Sequence, residues 1–238
     1  MIRKVAIAVL GLTIRAATTQ PLLAQQVSSL FQETKTEHVS LAPGGTIRIE
    51  NSFGELNIEG WNQPEVEITV IKKLPYDYEA SKSAKDLSVV TVTTERKSDK
   101  EVWIATNIAT HDSLLSSVAR TKTEVWVEYQ IHAPRDSKLV IRHDHGTVHV
   151  NNMAADIDAD SGAGDMVVII PDPESHSIDA KTTVGPIASD FGKTHKKHFV
   201  GREMVTGGTT VSSLVRLRMG RGGITLKTLQ KEAYTSDQ

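Results

Sequence analysis

Cysteine is absent from the 238-residue sequence. That excludes disulfide staples, thiolate metal sites and a lipid-modified cysteine, so the folded chain must be held by its core. Long apolar runs are absent too: Val5 to Ile14 falls well short of the about 20 residues a transmembrane helix needs, and Arg15 ends it. There is no nucleophile elbow, no His-Glu-x-x-His, no phosphate loop and no dinucleotide fingerprint after a strand. Ser161-Gly162-Ala163-Gly164-Asp165 echoes a calcium-binding nonapeptide, but that mechanism needs tandem copies, and a plain turn is the simpler reading.

The first 24 residues have the layout of a secretory leader. Arg3 and Lys4 precede the apolar run, and a polar stretch ends in Pro21-Leu22-Leu23-Ala24, where the small Ala24 suits the residue before a signal-peptidase cut. This predicts an exported chain that starts at Gln25, in the periplasm or at the cell surface, with no stable membrane span. Removing Arg3, Lys4 and Arg15 from the 27 basic residues leaves 24 against 29 acidic ones, a net charge of −5. That balance argues against nucleic acid and anionic membranes as primary partners.

What is present is a recurring frame, apolar-x-apolar-x4-Gly-x-apolar-x-apolar. It fits Ile47 to Ile58, Leu139 to Val150, Ile157 to Val168, Ile178 to Ser189 and Val215 to Leu226, with turn glycines Gly54, Gly146, Gly164, Gly185 and Gly222. Strand side chains alternate faces, so each apolar pair points two residues into a core, and each frame reads as strand, turn, strand. The glycine supplies positive φ or close backbone approach at the bend. Gly146 to Gly164 is 18 residues and Gly164 to Gly185 is 21, the period of one coil of a β-solenoid whose rungs bury their apolar faces by stacking. Gly185 to Gly222 is 37 residues, so one coil is missing there or replaced by a loop. The expected fold is mainly β, a parallel β-helix or β-solenoid-like body with an antiparallel insertion; an antiparallel β-sandwich is the rival.

Residues 39–229 read as one β-strand repeat domain after a polar lead from Gln25 to His38. Within it, 72–132 leaves the frame. There the pattern predicts at most a short helix at Asp77 to Lys85 and strands at Leu87 to Thr93, Glu101 to Thr106 and Thr123 to Ile131. A hairpin turn at Lys97 to Lys100 and a polar loop from Asn107 to Lys122 complete an antiparallel insertion that covers one end or edge of the body. Trp103 and Trp126 are expected to anchor its core, since aromatics usually fill cores. Residues 190–213 form a loop insertion carrying His195-Lys196-Lys197-His198, and 230–238 a flexible tail.

The run from Ala42 to Lys73, APGGTIRIENSFGELNIEGWNQPEVEITVIKK, followed by VEYQIHAPRDSKLVIRHDHGTVHV, resembles the bacterial family of β-strand repeat envelope proteins grouped as candidate adhesins and as a domain of unknown function. The resemblance covers about Val39 to Leu226. It implies a right-handed or irregular parallel β-helix-like body on the envelope side, and brings no catalytic motif with it.

Two constellations are candidates for chemistry. His143, His145 and His149 lie close together in sequence, and imidazoles on one face can hold zinc or copper. Aligning the second to fourth frames on their glycines places Asp158 beside Asp179, a carboxylate pair that would take a calcium ion or a shared proton. The leading function is a non-enzymatic, exported envelope protein, a structural or adhesin-like scaffold for an envelope protein or polysaccharide, with no cofactor. The alternatives are a polysaccharide-acting enzyme on a β-helix face, and a metal-binding module at the three histidines.

Overall fold

The computed structural model describes residues 25–28, 32–74, 87–109, 125–190, 195–197, 201–207 and 213–229. The leader 1–24, the helix expected at Asp77 to Lys85, most of the polar loop before Thr123 and the tail 230–238 lie outside the described residues. The chain is mainly β. Its strands are β1 (Gln25–Ser28), β2 (Gln32–Ser40), β3 (Thr46–Trp61), β4 (Glu65–Lys73), β5 (Val90–Ser98), β6 (Glu101–Ile108), β7 (Trp126–Pro134), β8 (Lys138–Asn151), β9 (Ile157–Ile170), β10 (His176–Val184), β11 (Ile187–Ser189), β12 (His195–Lys197), β13 (Arg202–Thr206), β14 (Ser213–Arg221) and β15 (Ile224–Thr228). A 3-10 turn, Pro173–Ser175, precedes β10, its first turn capped by the Asp172 carboxylate. Among the described residues no helix is long and apolar enough to cross a membrane.

All these strands belong to one mixed sheet that does not close on itself. Three long strands, β3, β8 and β9, pair in parallel, and each bends at its frame glycine so that its two halves belong to two wings. The first wing runs β5-β6-β3-β8-β9-β14-β10-β13-β12, and the second runs β1-β2-β4-β7-β3-β8-β9-β15-β11. Every apolar frame position is buried, from Ile47 and Ile49 through Val215, Leu217, Ile224 and Leu226, and both wings contribute to one hydrophobic cluster. Burying one such side chain contributes on the order of 1.5–3 kcal/mol. Ser189, the polar residue in the fourth frame, is half-buried at the short β11.

The bends coincide with the glycines. Gly54, Gly146, Gly164, Gly222 and Gly185 have φ of 88°, 119°, 121°, 133° and 145°, a region that residues with a Cβ rarely enter. They also stack. A Cβ on Gly146 would overlap the carbonyl oxygen of Gly54, one on Gly164 that of Gly146, one on Gly222 that of Gly164, and one on Gly185 that of Gly222. Close backbone approach and positive φ therefore act together in a single column.

The order of that column departs from the order of the chain. The fifth frame, β14 and β15, lies between the third and fourth: β14 pairs with β9 on one side and β10 on the other, and β15 with β9 and β11. The 37-residue interval thus contains no missing coil. Part of 190–213, expected as a loop, forms β12 and β13, which pair antiparallel beyond β10 and cover its edge. The segment 72–132 is antiparallel at β5–β6 and β4–β7, yet β6 and β7 pair parallel to β3, one in each wing. Their alternating apolar residues, Val102 and Ile104, and Val127, Tyr129 and Ile131, continue the same core. The lead from Gln25 to His38 is also part of the sheet, as β1 and most of β2.

Candidate binding face

Strand alternation separates the three histidines. His143 points inward and is 4% exposed, with Nδ1 2.9 Å from Ser52 Oγ. Burial pushes its pKa down to about 4, with the neighbouring His145 adding to the shift. His145 sits at the bend, exposed, stacked on Phe53 at 5.5 Å and bonded to the Asp144 carboxylate at 3.0 Å. His149 lies on the outer face of the second wing, paired with Asn57 and Val167. Among the described residues no group of three or more metal-ligating side chains is arranged to hold an ion. The three imidazoles therefore do not converge, because the bend at Gly146 lies between His143 and His149. A cleft of about 510 Å³ at this corner is lined by Asn51, Phe53, Thr106, Arg142, His143 and Asp144, among others.

Asp158 and Asp179 are not neighbours either. Arg216 of the inserted β14 stands between them, paired across the sheet with both. Arg216 donates to the Asp158 carboxylate at 2.5 and 3.2 Å, and Arg142 lies 3.4 Å from it. Arg218 donates to Asp179 at 2.5 and 3.0 Å. Burial raises the Asp158 pKa, but hydrogen bonds from Arg216 and Arg142 outweigh it and hold the carboxyl below its ordinary value. The pair expected to need a cation is compensated by guanidinium groups instead. Aligning frames in chain order missed this, because the fifth frame enters the gap.

The outer face of the second wing has a different character. On β7 the inward residues are Val127, Tyr129, Ile131 and Ala133; the outward ones are Trp126, Glu128, Gln130 and His132. Trp126 is 53% exposed rather than a core anchor. Trp103 is outward as well, on the first wing, with Arg48 and Lys97 against its ring at 5.8 and 5.2 Å. In both strands the tryptophan falls on the polar phase of the alternation, a signal present in the sequence that points outward.

Beyond Gln130, register sets Asn57 and His149 in one row; beyond His132 it sets Glu59 and Asn151 in the next. A shallow groove of about 390 Å³ runs over these rows, with Val167 and Ile169 at its far side. The side chains are held by one another. Asn151 donates to Glu59 at 2.6 Å, Gln130 to Glu128 at 2.6 Å, Asn57 to Glu55 at 3.1 Å, and Lys73 to Glu128 at 2.8 Å. Lys73 and Gln130 hold the Glu128 carboxyl below its usual range. At the end of β3, Trp61 stacks on His132 with ring centroids 5.2 Å apart, its indole N–H donating to the Glu65 carbonyl at 2.9 Å. His132 Nδ1 is 3.0 Å from Glu67, whose other oxygen is 3.6 Å from His38.

No protein-family model matches the chain, and no curated protein does. Solved structures do. A candidate cell adhesion protein from Clostridium sporogenes ATCC 15579 is 14% identical, with a TM-score of 0.48 over 82% of this chain and 100% of its own. Candidate adhesins from Parabacteroides merdae ATCC 43184 and Parabacteroides distasonis ATCC 8503 are 9% and 10% identical, with TM-scores of 0.29 and 0.26. They align over 81% of this chain in each case, and over 80% and 69% of their own. These three solved structures are described as adhesion proteins.

Proposed function

We propose that the protein is an exported, adhesin-like interaction scaffold of the cell envelope, with a short solenoid-like stack as its body, and that it acts by binding rather than by turnover. The observation that carries this reading is the outer face of the second wing, where Trp126 and two rows of mutually bonded polar side chains lie on strands locked by the glycine column. A rigid face loses little conformational freedom on binding, which is how a shallow surface reaches useful affinity.

Export predicts an intact mass that corresponds to a chain starting at Gln25. For binding, the mature protein is sedimented with isolated cell envelopes. Saturable co-sedimentation is expected, lost on Asn57→Lys/Gln130→Lys in the second wing and retained on Lys181→Glu in the first. Non-saturable association, or equal loss from both wings, counts against the reading.

A further inference from the structure

We propose that the outer face of the second wing between Trp126 and Trp61 is a carbohydrate-binding site, and that its ligand is an uncharged polysaccharide lying along β7 and β3. This deepens the scaffold reading and rests on it. A sugar ring offers a flat patch of C–H groups on its faces and hydroxyls around its rim. A site that recognises it needs exposed aromatic plates for the first and planar donor–acceptor groups for the second.

One exposed indole, Trp126, one half-buried indole, Trp61, and the planar polar groups lie in one line. Trp126 opens β7 with about half its surface exposed. Six residues further on, roughly 20 Å along an extended strand, His132 carries the Trp61 ring stacked on it. Between these plates lie Gln130 and Asn57, each giving one amide N–H to a neighbouring carboxylate. Such an amide has a second N–H and an oxygen to offer a hydroxyl. Neighbouring strands are about 4.8 Å apart, so the rows continue through His149 and Asn151 at similar intervals.

Charge narrows the ligand. The outer residues of these strands include Glu55, Glu59, Glu65, Glu67, Glu128 and Asp165, against Lys73 and Lys227. A face with that excess of carboxylates repels polyuronates and other polyanions. A cationic peptide would suit the charge alone. Its cationic groups would find the indole faces, but it brings no ring of hydroxyls to the amide rows, and most of the carboxylates already have partners: Glu128 holds Lys73, Glu59 holds Asn151, Glu55 holds Asn57 and Glu67 holds His132.

The test uses the mature protein carrying Trp103→Phe. That ring lies on the first wing, and its loss leaves fluorescence to Trp61 and Trp126. The probes are cellohexaose, mannohexaose and chitohexaose, with polygalacturonate and hexalysine as charged comparators. At least one neutral hexasaccharide is expected to change the fluorescence saturably. Trp126→Ala and Trp61→Ala should each weaken it by at least about tenfold, as aromatic hot spots do, with Trp126→Ala unfolding as the parent does. Failure of all three neutral probes, preferential binding of polygalacturonate or hexalysine, or unchanged affinity in Trp126→Ala overturns the sugar site. Wild-type sedimentation with envelopes by Trp126→Ala/Trp61→Ala protein would remove the sugar site while leaving the scaffold reading in place. Sugar binding by a protein that never associates with envelopes would do the reverse.

Discussion

His143 is held neutral inside a polar seam of the core. Register places it between Ser52 and Ser161, and the seam continues through Met219 to Thr182. Ser52, Ser161 and Thr182 are fully buried. Thr182 donates to the Gly222 carbonyl at 3.1 Å, and at the other end Thr106 bonds the Tyr129 hydroxyl at 2.8 Å. Burial lowers the His143 pKa from 6.5 to about 4. Between those values the unfolded chain binds a proton that the folded chain does not. Stability is therefore full above about pH 6.5 and is lost as pH falls toward 4, by about 2–3 kcal/mol at pH 4.5 from this residue alone. Denaturant unfolding of wild type and His143→Gln at pH 7 and pH 4.5 measures it. The variant should lose less by that amount, and equal losses would assign the acid sensitivity to the carboxylates.

At the scale of the element, the unit is half a strand, a glycine bend and half a strand, and the bend controls both halves. Gly146 combines φ of 119° with a position where a Cβ would overlap the Gly54 carbonyl oxygen. Gly146→Ala is expected to cost roughly 1–3 kcal/mol in backbone strain, with a further loss as β3 and β8 separate. Gly207 has open space where its Cβ would go, and Gly207→Ala should leave the melting temperature within a degree or two of wild type, as surface substitutions usually do. Equal effects at the two positions would dissociate the column from stability. Alternation, the other property of the element, was legible at most positions: it buried every apolar frame residue and turned Trp126 and Trp103 outward. The expectation that those rings fill a core gave residue type precedence over strand phase.

Across the whole molecule, connectivity is what departs from a simple stack. The fifth frame lies between the third and fourth, so β14 and β15 are internal strands although they come last in the chain. In a sequential stack, loss of the last coil removes one interface and leaves the rest folded. Here, deleting 213–238 removes the two strands that join β9 to β10 and to β11. The deleted chain should therefore lose cooperative unfolding, with β10 to β13 protease-sensitive even in buffer. Deletion of 230–238 alone should leave the unfolding curve unchanged. A truncation at 213 that retained a single sharp transition and protection of β10 would show that the terminal frame is dispensable.

Local chemistry was readable from the residues. Alternation identified what is buried, and five glycines in one frame identified the bends, because a side-chain period of two and the freedom to take positive φ are properties of the chain itself. Parallel stacking of the second and third frames followed from their 18-residue spacing. Neighbour relations over longer separations did not. Which strand fills the gap beyond β9 depends on complementarity between surfaces far apart in sequence, since any frame presents the same apolar pairs and the same glycine to the next. The tertiary structure decided that the frame entering there brings Arg216 between Asp158 and Asp179. It also decided that β6 and β7 flank β3 in parallel, and that amide side chains from β7, β3 and β8 form one face between two tryptophans. Those outcomes depend on which strands lie side by side, and a repeated frame does not distinguish one partner from another.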